Sequence, residues 1–144
     1  MTQRAILTIT VLSFAICSLA AAEEPAESRI TLRIVVQGEK GVIRCALFSS
    51  PDTWLKNPQM KATAKPVKGS AECVFGDVAP GAYAISAYHD ENDNAELDKS
   101  FFGAPREGTC TSGKPEATRR QPKFTPARFD YAGGELVLTA RMTY

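Results

Sequence analysis

Between residues 89 and 98 the chain reads HDENDNAELD, and oxygen-bearing side chains fall on every second position: Asp90, Asn92, Asn94, Glu96 and Asp98. A hard cation such as calcium takes roughly six to eight oxygens from carboxylates, side-chain amides and backbone carbonyls, so a tight loop turning these five inward would suit it. The D-x-N-x-N opening is that of a calcium loop. Ala95, however, stands where a sixth-place glycine belongs, and Phe101 where a bidentate glutamate would close the ring, so this is not an EF-hand. A second reading needs no ion. Asp and Asn side chains accept their own backbone N–H groups in Asx turns, and Asp98 can cap a short turn through Phe101-Phe102.

His89 directly precedes this run and is the chain's one histidine. An imidazole beside carboxylates can act as a general base or bind a transition metal, so a rival reading is a small metal-dependent hydrolase organised around His89, Asp90 and Asp98. A lone histidine without a second histidine or a cysteine at ligand spacing more often ties a loop to a sheet. Ser112 and Cys110 are nucleophiles by type, but no elbow motif accompanies them. The chemistry-bearing residues therefore favour a binding module, not an enzyme, with calcium as the cofactor if the loop takes one.

Charge narrows the partners. Seventeen Lys and Arg stand against sixteen Asp and Glu, which leaves no basic excess for a row of phosphates, and nucleic acid is not expected. The cluster of Lys114, Arg119, Arg120, Lys123 and Arg128 reads as a solvated loop face. An extracellular or envelope protein is the class of partner that fits.

Residues 1–22 have the make-up of a secretory signal: Arg4, then the uncharged AILTITVLSFAICSLA, then Ala20-Ala21-Ala22 as a small-x-small cleavage site. The apolar run is short for the ~20 residues of a membrane span and is closed by small residues. Ile16 precedes Cys17 where a lipoprotein signal takes a small residue, so no lipid is expected. The mature chain is expected to be periplasmic or secreted, with a flexible segment over 23–29, one domain over 30–144 and no membrane span. Export favours cysteine oxidation. Of Cys45, Cys73 and Cys110, the first two are in phase with inward residues of alternating segments (Ile43 and Leu47; Phe75), so a Cys45–Cys73 bridge is the expected pairing, with two buried thiols as the other reading.

The elements that must position these groups repeat with period two. In ITLRIVVQG, Ile30, Leu32, Ile34 and Val36 share a face, and GVIRCALFS follows after Gly38-Glu39-Lys40-Gly41, which predicts a hairpin. The segment SSPDTWLKNPQMKATAKPVKG, broken by three prolines, is expected to hold one short helical turn whose Trp54 and Leu55 close over an end of the core. SAECVFGDV and GAYAISAYH are further strands. Residues 90–123 read as irregular, a length that in a compact domain marks function. ARFDYA, a Gly133-Gly134 turn and ELVLTARMTY finish the chain, with Leu136, Leu138, Ala140 and Met142 on one face. The expected fold is an all-β antiparallel sandwich of about seven strands, immunoglobulin- or transthyretin-like, with one long loop.

The stretch DVAPGAYAISAYHDENDNAELDKSFFGAP, from Asp77 to Pro105, resembles an uncharacterised bacterial family, domain of unknown function 2141. The elements carrying the resemblance are Pro80-Gly81-Ala82-Tyr83-Ala84, the polar run from His89 to Asp98, and Phe101-Phe102-Gly103-Ala104-Pro105-Arg106-Glu107-Gly108. The likeness implies a secreted or periplasmic β-sandwich and carries no activity with it. Asp93 and Ala95 stand where the family usually has glycine, and Thr109-Cys110-Thr111-Ser112-Gly113 replaces a stretch of aromatic and Ser-Asn residues. The P-G-x-Y turn is also similar to that of carboxypeptidase regulatory-like and transthyretin-like domains, and the polar loop to those inserted in bacterial adhesin B-type repeats.

Overall fold

Alternating side chains become the two faces of packed sheets. A computed structural model describes residues 27–113 and 121–144. The expected leader (1–22), most of the 23–29 segment, and Lys114, Arg119 and Arg120 lie outside the described residues. The strands are β1 (Arg29–Val35), β2 (Val42–Phe48), β3 (Met60–Ala64), β4 (Ser70–Gly76), β5 (Gly81–Asp90), β6 (Thr109–Thr111), β7 (Arg128–Tyr131) and β8 (Glu135–Arg141), with one helical turn, α1 (Phe124–Ala127), before β7. They form a β-sandwich of a three-stranded sheet, β4-β1-β8, and a larger sheet, β3-β2-β5-β6, in which β7 also pairs with β5. All pairings between these strands are antiparallel except β1 with β8, which is parallel.

The core lies between the sheets. Ile30, Leu32 and Ile34 of β1 face Ile43, Cys45 and Leu47 of β2 and Tyr83, Ile85 and Ala87 of β5, all buried. Each fully buried aliphatic side chain contributes roughly 1.5–3 kcal/mol relative to exposure. Cys45 on β2 and Cys73 on β4 are joined across the sandwich, with Cα atoms 6.4 Å apart, as their inward phase suggested. Cys110 also faces inward, but it is separated from Cys45 by Ala87 of the intervening strand.

The expected β1–β2 hairpin does not form. β1 pairs with β4 and β8, and β2 with β3 and β5, so residues 36–41 arch from one sheet to the other. Alternation fixes which face of a strand is buried but not its neighbour, and two inward faces can meet across the core as well as side by side. Gly41 (φ +72°) marks the landing of that arch: a Cβ there would stand 2.0 Å from the carbonyl oxygen of Asp90. Two strands fall in segments that read as irregular, β3 among the prolines and the three-residue β6 within 90–123. Trp54 does not close the main core. It packs edge-on against Phe48 and Phe124 in a second cluster with Ala84 and Ala127, and its indole N–H donates to the Pro122 carbonyl at 2.7 Å. Phe48 and Ala84 project from the outer face of the larger sheet, opposite the neighbours that face the core.

β6 and β7 lie end to end along the same edge of β5. Ser112, buried at their junction, splices them: its hydroxyl accepts the Ile85 N–H (2.7 Å) and donates to the Ala127 carbonyl (2.7 Å), while its own N–H donates to the Ile85 carbonyl. The residue is therefore committed to the ladder and is no free nucleophile. Ser112→Ala is expected to orphan the Ile85 N–H and lower stability by about 2 kcal/mol in urea unfolding. Cys45→Ala/Cys73→Ala, whose bridge closes a 28-residue separation, is expected to cost about 3.5 kcal/mol in the same measurement.

Candidate functional site

The candidate site grows from the end of β5, where consecutive residues must point to opposite faces. His89 turns inward with Ile43 as its neighbour on β2, and Asp90 turns outward. His89 is buried, and both ring nitrogens are engaged. Nε2 lies 2.6 Å from the Lys40 carbonyl, an acceptor only, so this nitrogen carries the hydrogen. In the neutral ring Nδ1 then accepts the Tyr144 hydroxyl proton at 2.7 Å. Burial pushes the Tyr144 hydroxyl above its ordinary pKa, which keeps it protonated as a donor. The Tyr144 oxygen also accepts the Gln37 N–H at 3.0 Å, so the ring pins the β1–β2 arch to the last residue of the chain. Gly108 makes room for this contact: a Cβ there would come within 2.5 Å of the Tyr144 ring.

Asp90 is fully buried on the other side. One carboxylate oxygen takes the Arg44 Nε–H (2.6 Å) and the Ala95 N–H (2.9 Å), and the other takes the Asn94 N–H (3.0 Å). Burial alone would raise the Asp90 pKa. Arg44 and the two amides outweigh it and hold the carboxyl below its ordinary value. Arg44 answers in kind, its pKa raised chiefly by the bond to Asp90, and its Nη2 reaches Asp93 at 2.8 Å. The turn these bonds enforce places Asp93 and Ala95 at positive φ, 56° and 66°, where a glycine would sit without strain.

Of the other oxygens expected around a cation, those of Asn92, Asn94 and Asp98 are engaged within the loop. The Asn92 side-chain oxygen accepts the Asn94 N–H, and that of Asn94 accepts the Glu96 N–H, which makes two successive Asx turns. Both Asn side-chain amides donate to the Asp98 carboxylate, at 2.8 and 3.1 Å. The Glu96 side chain is exposed and makes no hydrogen bond among the described residues. Among the described residues no group of three or more His, Cys, Asp or Glu side chains is arranged to hold a metal. The hydrolase constellation is not assembled either: His89 and Asp90 lie on opposite faces of β5, and Asp98 bonds to Asn92 and Asn94.

Two residues that sequence reasoning overlooked complete the site. Arg44 sits on the polar face of β2, directly opposite Tyr88. Glu107, buried, staples the two arms of the loop by accepting the Glu91 N–H and the Asp98 N–H, each at 3.1 Å. Between those arms a short hairpin projects. Lys99 bridges to Pro105, the Ser100 N–H donates to the Ala104 carbonyl, and the Arg106 N–H to the Asp98 carbonyl. At its tip Phe101 and Phe102 are 97% and 92% exposed, ring against ring edge. Nearby, burial pushes the Cys110 thiol up to about 12, so little thiolate is present at neutral pH to act as the nucleophile its residue type allows.

Asp90 contributes stability that is complete above its unfolded pKa, near 3.8, and lost as pH falls through the lower folded value. Asp90→Ala is expected to cost about 2 kcal/mol at neutral pH. Its melting temperature is expected to fall less steeply than that of the wild type below about pH 4, as read by thermal melts across an acid series.

No curated protein and no solved structure matches this chain. One family profile does, over residues 34–139, a span that runs from within β1 to within β8 and takes in the whole loop. The chain thus belongs to the family described as "Uncharacterized protein conserved in bacteria (DUF2141)".

Proposed function

We propose that this protein is an exported, non-enzymatic binding module of the bacterial envelope or its surroundings, and that it grips a protein partner through the hairpin of residues 98–106. The observation that carries the reading is the pair of phenylalanines at the tip, bare to water on a turn held rigid by its own backbone bonds and by Glu107. Aromatic rings are the commonest anchors of protein interfaces, and a preorganised anchor loses little freedom when it docks. Among the described residues, none of 98–106 belongs to either hydrophobic cluster.

Export is supported by the signal-like residues 1–22 and by the Cys45–Cys73 bridge, a bond that persists in oxidising compartments. No helix among the described residues is long and apolar enough to cross a membrane. Support for an ion-free loop comes from Arg44 and the Asn94 and Ala95 amides, which already meet the Asp90 carboxylate. Calcium at Asp90, Asn92, Asn94, Glu96 and Asp98 would compete with Arg44 for the Asp90 carboxylate and with the Asn92 and Asn94 side-chain amides for that of Asp98. No observation favours hydrolysis over binding.

The test is made in the exporting cell. With p-benzoylphenylalanine in place of Phe102, illumination is expected to yield one discrete adduct on an exported form beginning at Glu23. The same photoprobe in place of the exposed Val67 should yield none. Equal labelling at both positions, or none at either, overturns the reading. Titration of the purified protein with calcium is expected to give neither saturable heat nor a rise in melting temperature; a saturable rise would restore the cation.

A further inference from the structure

The outer face of the larger sheet carries a trough. Its outward residues fall in rows across the strands, and the middle row is small: Ala46 on β2, Ser86 on β5 and Thr111 on β6, all half-buried. Two residues along on one side, Arg44 and Tyr88 stand beneath the loop, where the Tyr88 hydroxyl donates to the Ala95 carbonyl. Two residues along on the other side, Phe48 and Ala84 are built up by Trp54 and Phe124. The bulky rows thus lie four residues apart, about 13 Å, with small side chains between them, a slot one extended chain wide. Leu97 and Pro105 complete the wall on the loop side, and Leu55, Pro58 and Pro122 the wall opposite.

Charge marks the ends. Lys61 of β3 lies beside Ala46 and opens the row. At the far end Thr109 exchanges both backbone bonds with Thr143, so by antiparallel count Arg141 falls next to Thr111 and closes it. From Lys61 to Arg141 is four inter-strand steps, about 19 Å, the reach of about six extended residues. Lys99, at the base of the projecting hairpin, lines the same depression. None of these three cations has an ion-pair partner among the described residues. The carboxylate of Glu107 also lines it, but that group is buried and already holds two backbone N–H groups.

We propose that the trough takes an extended acidic segment of a protein partner, the same partner that the hairpin grips, so the inference rests on that reading. A chain laid along the row sends alternate side chains left and right, so aliphatic residues meet both walls. Its backbone amides and carbonyls then meet the Ser86 and Thr111 hydroxyls on the floor, which a purely aliphatic ligand would bury without partners. Carboxylates near its two ends answer Lys61 and Arg141. Lys99 and Pro105 belong both to the trough and to the hairpin, which makes the two surfaces continuous.

p-Benzoylphenylalanine in place of Thr63, exposed beside the Lys61 mouth, is expected to capture in the exporting cell the same partner as the probe at Phe102, judged by adduct mass. Mass spectrometry should place that cross-link on a segment carrying Asp or Glu. With the probe at Phe102, Lys61→Glu combined with Arg141→Glu should cut the adduct yield roughly fivefold or more. Lys68→Glu, outside the trough, should leave it unchanged. Filling the floor by Thr111→Leu or by Ser86→Leu should cut the yield likewise, in variants whose circular dichroism stays native. A Thr63 probe that labels nothing while the Phe102 probe labels its partner overturns the trough and leaves the hairpin standing. Labelling at Thr63 with none at Phe102 overturns the hairpin grip instead. A cross-linked segment without a carboxylate, or one from a second copy of this chain, overturns the acidic occupant. So does a Phe102 yield indifferent to the double reversal and to both filled-floor variants.

Discussion

A carboxylate withdrawn from water must be given a counter-charge and hydrogen-bond donors, and the polar loop of this protein is organised by how Asp90 receives both. Arg44 comes from the neighbouring strand, so the charge is met within the sheet. The two amides come from residues four and five further along, so they can be supplied only if the chain doubles back at once. That return sets the positive φ of Asp93 and Ala95, starts the Asx turns and delivers Asp98 to the point where Glu107 staples the loop shut. The projecting hairpin is positioned by this chain of necessities.

His89 performs the complementary task on the inner face. Strand geometry forbids neighbours in sequence from sharing a side, so the two most reactive-looking residues are kept apart by the strand that carries them. One fastens the β1–β2 arch and the C-terminal tyrosine beneath the sheet, and the other fastens the loop above it. The end of β5 is thereby clamped from both sides, and this stiffness lets exposed rings stand on a short turn.

Much of this was legible in the sequence. The alternation in 30–36, 42–48, 70–76, 81–89 and 135–142 gave the inward faces, and the same phase paired Cys45 with Cys73. Strand partnership was not legible, because an inward face carries no address: β1 and β2, adjacent in sequence, lie in opposite sheets. β3 was hidden by flanking prolines, although Met60, Ala62 and Ala64 keep the beat. β6 is too short to show a period, and only the buried Ser112 reveals it as half of a spliced edge. In the loop, residue types announced polarity but not direction, since the same Asp and Asn side chains satisfy an ion or a backbone. Of the deciding partners, Arg44 comes from another strand 46 residues away and Glu107 from the far side of the projecting hairpin.

The second hydrophobic cluster has a spectroscopic consequence. The chain holds one tryptophan, and its indole is shut between Phe48 and Phe124 on the outer face of the larger sheet, away from the main core. Emission from that single fluorophore therefore reports the fastening of the segment around Pro122 to the 50s turn, while far-ultraviolet ellipticity reports the strands. A denaturation curve followed by both signals would show whether this small outer cap frays before the sandwich yields or melts together with it.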